Sequence, residues 1–224
     1  MLNYPGTWEG FVIMNRFVEE LVTRYPVLKQ IAGEIDRAAE LLINCALQQS
    51  KILTAGNGGS SSDADHITGE MLKGFLKKRP LPPELVEKFA AQNKPGAVEL
   101  AKSLQMGIAS VNLGNAQALV SAFGNDVNPL AAYAQHLWAL ARPGDVLLGI
   151  STGGNAENIR LALIAAKAAG VKSILLTGSR NGVCCEYADI VIAVPEKETF
   201  KIQELHLPIY HTLCMAVEEA LYRE

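Results

Sequence analysis

The 224-residue chain lacks an apolar run long enough to cross a bilayer, and its first residues lack the basic-then-apolar pattern of a signal peptide. It also lacks an excess of charge of one sign, because the formal net charge is −3 and the basic residues are scattered except at Lys73, Lys77, Lys78 and Arg79. So small a basic cluster is typical of a solvated helix end rather than of a nucleic-acid surface. We therefore expect a cytoplasmic protein that binds neither a membrane nor a nucleic acid.

Cysteine is scarce and is not arranged for metal binding. The chain has four cysteines, of which Cys184 and Cys185 are adjacent, and none of their spacings is that of a metal site. We expect all four to be reduced thiols. Cys45 and Cys214 fall on apolar faces of predicted helices, where a thiol behaves as a small hydrophobic group.

The hydrophobic pattern alternates between strands and helices. Hydrophobic residues make up 49% of the chain, and short aliphatic segments bounded by Gly, Pro or Asp lie at 51–55, 107–112, 146–150, 173–177 and 190–194. Helical periodicity fills the intervals, most clearly at 128–141 and 155–169. Together these patterns predict a single α/β domain over residues 1–224, with a five-stranded parallel sheet covered by helices on both faces.

Two segments do not belong to that minimal alternation. Residues 1–49 contain two helical patterns, at 11–24 and 27–49, which could pack on the sheet or on another subunit. Residues 76–105 contain four prolines and two further helical patterns. We interpret them as a helical insertion between the first and second strands, which could be a lid over a site or a surface ornament.

The most informative motif is a glycine-rich turn between the first strand and a helix. Gly56, Gly58 and Gly59 permit close approach of the backbone to a ligand, and the helix that follows opens on three serines. A P-loop needs a lysine after the last glycine, and a dinucleotide fingerprint needs glycine at Ser61, so nucleotide binding is disfavoured. The motif favours a phosphate site, the alternative being a tight turn without a ligand. His66 and Glu70 follow on one helix face, four residues apart.

A second turn of the same kind follows the third predicted strand. Ser151 and Thr152 can donate hydroxyl hydrogen bonds, and Gly153 and Gly154 leave the backbone accessible. In an open parallel sheet, ligands bind beyond the carboxyl ends of the strands, so we expect both turns at the same edge.

The last predicted helix begins near residue 199 and carries Gln203, His206 and His211. Pro208 is compatible with this helix if the helix starts only a few residues earlier. Read with the two turns, His66 and His211 are functional candidates. The role of His206 stays open, and we interpret His136 as structural.

Three motifs in this order resemble the sugar isomerase (SIS) family, and within it the phosphoheptose isomerases. They read Gly-Asn-Gly-Gly-Ser-x-x-Asp-Ala-x-His-x-x-x-Glu, Gly-Asp-Val-Leu-x-Gly-Ile-Ser-Thr-x-Gly-Asn and Ile-Gln-Glu-x-His-x-x-x-x-His. The resemblance covers most of residues 30–222 outside the insertion.

The resemblance implies an aldose–ketose isomerase that interconverts sedoheptulose 7-phosphate and D-glycero-D-manno-heptose 7-phosphate. It implies Glu70 and His211 as the acid/base pair, and zinc bound through His66, Glu70, Gln203 and His211. It also implies a homotetramer and a substrate that is a sugar phosphate. The residues predicted to bind substrate or phosphate are Asn57, Gly58, Gly59, Ser60, Asn125, Asp126, Ser151, Thr152, Gly153, Asn155 and Gln203.

Some positions depart from the family pattern. Gly153 and Ala156 replace two serines of the second turn, Gly74 replaces an arginine, and Val127 replaces an aromatic residue. Two other functions therefore stay open. One is a non-catalytic SIS protein that binds a phosphosugar as a regulator or binds a replication initiator, and the other is an SIS enzyme for a different sugar phosphate.

Overall fold

The computed structural model describes residues 14–178 and 182–222. Its centre is one parallel sheet of five strands in the order β2-β1-β3-β4-β5. The strands are β1 (Ile52–Ala55), β2 (Ser110–Asn112), β3 (Val146–Ile150), β4 (Lys172–Thr177) and β5 (Ile190–Ala193). The predicted five-stranded parallel sheet is confirmed.

Nine α-helices lie in the described residues. They are α1 (Arg16–Arg24), α2 (Ala32–Leu47), α3 (Gly59–Leu72), α4 (Pro83–Ala90), α5 (Ala97–Ser103), α6 (Gln117–Asp126), α7 (Ala132–Leu140), α8 (Glu157–Ala168) and α9 (Thr199–Leu221). None of these helices combines the length and the apolar character that crossing a membrane requires.

Alternating residues of the strands pack into two separate hydrophobic cores, one on each face of the sheet. Ile52 and Leu148 point into a core shared with α1, α2, α3 and α9. Leu53 and Leu147 point to the opposite face, into a core shared with α7 and α8. Since successive side chains of a strand face opposite sides of the sheet, this division produces the predicted three-layer α/β/α arrangement.

The N-terminal helices pack on their own sheet and on α9 and start later than predicted. Helix α1 begins at Arg16, where the Asn15 side chain accepts a hydrogen bond from the Phe17 amide at 3.0 Å; residues 11–13 lie outside the described part. The pattern at 27–49 divides into a 3₁₀ turn at Pro26–Ile31 and helix α2. Buried Val18 and Leu21 join the core around α9.

The segment 76–105 contains the two predicted helices, α4 and α5, which pack against each other. Its ends meet in an antiparallel bridge between Pro80 and Gln105, beside which the Met106 amide donates to the Arg79 carbonyl at 2.6 Å. The two ends of the segment therefore lie side by side. Strand β2 starts later than predicted because the Ile108 amide instead bonds the Met71 carbonyl at the end of α3.

Helix α9 begins at Thr199 as predicted, but Pro208 lies in its interior rather than in its first turns. The condition we set for Pro208 was therefore wrong. A proline at this position leaves the carbonyl of Glu204 without an amide donor. Glu204 is exposed, so water can bind that carbonyl and the helix continues.

A buried ion pair joins the start of the 76–105 segment to α9. Arg79 and Glu218 are 1% and 2% exposed, and their side chains are 2.8 Å apart. Arg79 Nη1 also donates to the Met71 carbonyl at 2.8 Å, and Glu218 accepts the amides of Phe75 and Leu76 at 2.8 Å each. Burial raises the pKa of Glu218, but these amides and Arg79 outweigh it, so the net pKa lies below its usual value.

We expect Arg79→Met to lower the free energy of unfolding by about 3–5 kcal/mol, because a buried carboxylate loses its cation and the carbonyls of Glu70 and Met71 each lose one donor. Urea unfolding followed by circular dichroism measures the loss. The matched control is Lys172→Met, which removes an exposed ion pair with Asp189 and should change stability by about 1 kcal/mol or less. Equal losses of unfolding free energy in the two variants would show that the buried pair stabilises the fold no more than an exposed one.

Candidate active site

The two serine- and glycine-rich turns lie side by side. Strands β1 and β3 are hydrogen-bonded neighbours, and the strand order reverses between them, with β2 on one side and β4 on the other. Such a reversal opens a crevice beyond the carboxyl ends of the strands, where open α/β sheets bind ligands. The expectation that both turns share one edge is confirmed.

The first turn needs glycine at two positions. A Cβ on Gly56 would lie 2.1 Å from the Ser60 carbonyl oxygen, and Gly58 has a φ of 55°, a region that other residues rarely adopt. Helix α3 therefore starts at Gly59, and Ser60 is buried in its first turn. The positive end of the α3 dipole lies beyond the carboxyl end of β1, where it favours an anion.

A pair of amide side chains joins the two turns. Asn57 and Asn158 exchange two hydrogen bonds, at 2.9 and 2.8 Å. The Tyr133 hydroxyl of α7 donates to the Gly56 carbonyl at 2.9 Å. Neither Asn158 nor Tyr133 was among the predicted site residues, because their approach depends on the docking of α7 and α8.

The second turn is held by its own side chains. Gly154 has a φ of 67°, and the Asn155 amide donates to the Gly153 carbonyl at 2.9 Å while its oxygen accepts the Val183 amide at 3.0 Å. Both polar groups of the Asn155 side chain therefore hold the turn in its conformation. Ser151 is buried and Thr152 half-buried at the crevice.

Helix α3 carries His66 and Glu70, and α9 brings His211 against the His66 ring. His66 Nε2 lies 3.3 Å from Glu70 Oε1, and the ring centroids of His66 and His211 are 5.1 Å apart. The second oxygen of Glu70 accepts from Lys73 Nζ at 3.2 Å. Burial and the neighbouring His66 lower the pKa of His211, which favours a neutral imidazole able to pass protons in either direction.

Gln203 lies at the other end of the crevice. A Cβ on Gly59 would be 2.3 Å from its Nε2 atom, so the amide touches the first residue of α3. Gln203 therefore lies beside the N-terminus of α3, where an anion would bind.

The structure does not bring the predicted pair Asn125 and Asp126 into this group. Both are exposed at the end of α6, and the Asn125 amide donates to the Asp126 carboxylate at 2.8 Å. In the described residues no hydrogen bond or ion pair joins them to either turn.

His206, left open by the sequence, is a buried structural contact. It is fully buried, its Nε2 lies 3.2 Å from the Thr177 carbonyl at the end of β4, and burial lowers its pKa to about 4. His136, taken as structural, contacts the Leu113 carbonyl through Nδ1 at 2.9 Å.

Two residues beside the site escaped the sequence analysis. Asp63 and Tyr210 are 3.3 Å apart, and the Tyr210 hydroxyl is also 3.0 Å from His66 Nδ1. Burial raises the pKa of both side chains. The spacing of three residues between Asp63 and His66 on one helix was a usable signal, whereas the approach of Tyr210 from α9 was not.

The donor atoms of the predicted metal ligands suit zinc, but their positions in the structure do not form a metal site. Two imidazoles, a carboxylate and an amide are donors that zinc accepts, and the buried Nε2 of His211 has no hydrogen-bond partner. In the described residues, however, no group of three or more His, Cys, Asp or Glu side chains is arranged to hold a metal ion.

Fold and geometry thus define an open α/β domain with an anion-suited crevice and a carboxylate–imidazole cluster. A family model described as "SIS domain" matches residues 16–178. The chain belongs to the SIS domain family.

Within this family, the chain is similar to curated proteins and to a solved structure that are named phosphoheptose isomerases. The chain is 32% identical over 212 residues to a phosphoheptose isomerase of Laribacter hongkongensis (93% of this chain, 95% of the relative), and 34% identical over 212 residues to one of Thiobacillus denitrificans (93% and 94%). It is also similar to the structure of phosphoheptose isomerase GmhA from Neisseria gonorrhoeae, with a TM-score of 0.69 and 29% identity over 91% of this chain and 95% of that one.

We expect Gly59→Ala to weaken the binding of inorganic phosphate by about ten-fold or more, because the added methyl group displaces Gln203 at the helix start and a hydrogen bond to a charged group is worth about 1.5–3 kcal/mol. Isothermal titration calorimetry measures the affinity. Gly69→Ala is the matched control, since the same change in the same helix meets no atom within 4 Å. Equal affinities in the two variants would place the anion elsewhere.

Proposed function

We propose that this chain is a sugar-phosphate aldose–ketose isomerase, with sedoheptulose 7-phosphate and D-glycero-D-manno-heptose 7-phosphate as its substrate pair. The observation that carries the proposal is the meeting of Glu70, His66 and His211 in a crevice with two anion-suited turns. The names of the relatives, phosphoheptose isomerases that share nearly the whole length of the chain, support the same substrate.

The turns would hold the phosphate of the sugar. The positive end of the α3 dipole would favour a dianion, and the hydroxyls of Ser60, Ser151 and Thr152 can add hydrogen bonds. Gln203 would contact the sugar between the phosphate and the reacting carbons. The remaining proposed binding residues are Asn57, Gly58, Gly59, Asn125, Asp126, Gly153 and Asn155.

The proton transfers would take place on Glu70 and His211. From the ketose, Glu70 takes a proton from C1, the electron pair forms the C1–C2 double bond, and the C2 oxygen becomes an enediolate oxygen. His211 protonates that oxygen and takes the proton from the oxygen on C1. Glu70 then returns its proton to C2, which gives the aldose without any external oxidant or reductant.

We also propose zinc, one per site, with His66, Glu70, Gln203 and His211 as ligands. The unpartnered Nε2 of His211 and the donor types support it. When bound, the ion would stabilise the negative charge that develops on the enediolate oxygens.

A homotetramer, a cytoplasmic location and a single domain with 76–105 as an insertion complete the proposal. Exposed Leu76 and Leu100, on and beside the inserted helices, favour contact with another subunit. The four free cysteines favour a reducing compartment.

One specific observation favours a second candidate, a non-catalytic or differently specific SIS protein. Gly153 and Ala156 supply no hydroxyl to the second turn, and Asn155 is occupied in holding that turn. Weaker phosphate contacts would suit a regulator or an enzyme for another sugar phosphate.

We expect Glu70→Gln to lower kcat by a factor of about 10²–10⁴, because an amide cannot act as a base. Proton NMR of sedoheptulose 7-phosphate in D₂O with the zinc-supplemented protein measures both aldose formation and deuterium entry next to the carbonyl. Glu40→Gln, an exposed change on α2, is the matched control and should keep the parent rate. Turnover by Glu70→Gln at the parent rate would contradict the role of Glu70 as the base, and an inactive parent would favour the second candidate.

Metal analysis tests the zinc proposal separately. After dialysis against metal-free buffer, we expect about one zinc per chain in the parent by inductively coupled plasma mass spectrometry, and a large loss in His211→Asn. His136→Asn controls for removal of a histidine from outside the cluster. Equal zinc content in the three proteins, or none in the parent, would remove the ion from the site.

A further inference from the structure

Tyr210 stands between two polar side chains of α3, and nothing in the isomerase proposal uses it. Its hydroxyl is 3.3 Å from Asp63 Oδ1 and 3.0 Å from His66 Nδ1, and the residue is 1% exposed. Its ring also packs edge-on against both His66 and His211, with centroids 5.5 and 5.0 Å away. Water cannot readily substitute for either hydrogen bond.

The direction of these hydrogen bonds follows from the number of protons. A tyrosine hydroxyl has one hydrogen to donate, and an ionised carboxylate can only accept. The Tyr210 hydrogen therefore goes to Asp63, and the phenol oxygen is left to accept from His66. A neutral His66 must then carry its hydrogen on Nδ1.

That tautomer leaves a lone pair on Nε2, which faces Glu70. The distance from Nε2 to Glu70 Oε1 is 3.3 Å, so a lone pair and a carboxylate oxygen confront each other. Two acceptors at this distance repel each other until a proton or a metal cation lies between them. The pair is therefore prepared to receive one of these.

We propose that Tyr210, oriented by Asp63, is a positioning residue that fixes His66 in the Nδ1–H tautomer and presents the Nε2 lone pair beside Glu70. In many metal and proton-transfer sites a carboxylate bonds the histidine directly, whereas here the Tyr210 hydroxyl lies between the carboxylate of Asp63 and the ring of His66. Its catalytic consequence rests on the proposed isomerase function, whereas the tautomer itself does not.

Tyr210→Phe tests the assignment, because it keeps the ring and removes only the hydroxyl. In ¹⁵N-histidine-labelled parent protein at neutral pH, long-range ¹H–¹⁵N correlation should show His66 with hydrogen on Nδ1 and none on Nε2; a His66→Gln variant assigns the signals. In Tyr210→Phe, the Nδ1–H should give way wholly or in part to Nε2–H. Tyr187→Phe, whose hydroxyl contacts Arg160 outside the crevice, should leave the His66 signals as in the parent.

Kinetics give the second readout. We expect Tyr210→Phe to lower kcat about 10–100-fold while KM stays within about two-fold, because the substrate contacts are kept and only the orientation of His66 is lost. Equal thermal midpoints of parent and variant would show that the loss is not one of folding.

Two results would overturn the proposal. One is a parent His66 with its hydrogen on Nε2, which would reverse the direction of the Asp63–Tyr210–His66 hydrogen bonds. The other is an unchanged His66 spectrum in Tyr210→Phe. A parent that is inactive on the heptose but whose His66 tautomer responds to Tyr210→Phe would support the positioning and count against the isomerase alone.

Discussion

The parallel pairing of β1 with β3 is the constraint on which the candidate site depends. Because the two strands run side by side in the same direction, their carboxyl ends coincide, and the turns after them must meet. The Asn57–Asn158 amide pair depends on this pairing, because Asn57 follows β1 and Asn158 follows β3. A sheet that placed another strand between β1 and β3 would separate two anion-suited turns and leave neither able to enclose a ligand.

The second requirement is that α3 and α9 pack closely at a fixed register. Helix α3 carries the carboxylate and one imidazole, and α9 carries the other imidazole, so a shift of one turn along either axis, about 5.4 Å, would separate them. The Arg79–Glu218 pair fixes the far end of both helices, because Arg79 bonds the last carbonyls of α3 and Glu218 belongs to α9. At the near end, Tyr210 of α9 bonds Asp63 and His66 of α3. Stability and site geometry therefore depend on the same helix contact.

Local pattern was enough to predict the five strands, the two turns and the shared helix face of His66 and Glu70. These features rest on strand periodicity, on glycine at turns, and on spacings within one helix, all of which are encoded over a few residues. What escaped prediction depends on contacts between distant segments: Tyr210 reaches Asp63 across 147 positions of sequence. Helix starts were misplaced where a cap or a turn, such as Asn15 or the 3₁₀ turn before α2, decides the boundary.

Two of the unsatisfied polar atoms argue for a working site in this crevice. In the described residues, the buried side-chain atoms without a hydrogen-bond partner are Asp63 Oδ2, Thr177 Oγ1, His206 Nδ1 and His211 Nε2. Asp63 Oδ2 and His211 Nε2 belong to the side-chain cluster of α3 and α9, whereas Thr177 Oγ1 and His206 Nδ1 lie at the structural contact between β4 and α9. Each such atom costs about 1–3 kcal/mol, and a fold that needed the cluster of α3 and α9 only for stability would gain by filling it with apolar side chains. A crevice that receives protons, a cation or a ligand has a physical reason to keep them, because the missing partner arrives with the chemistry.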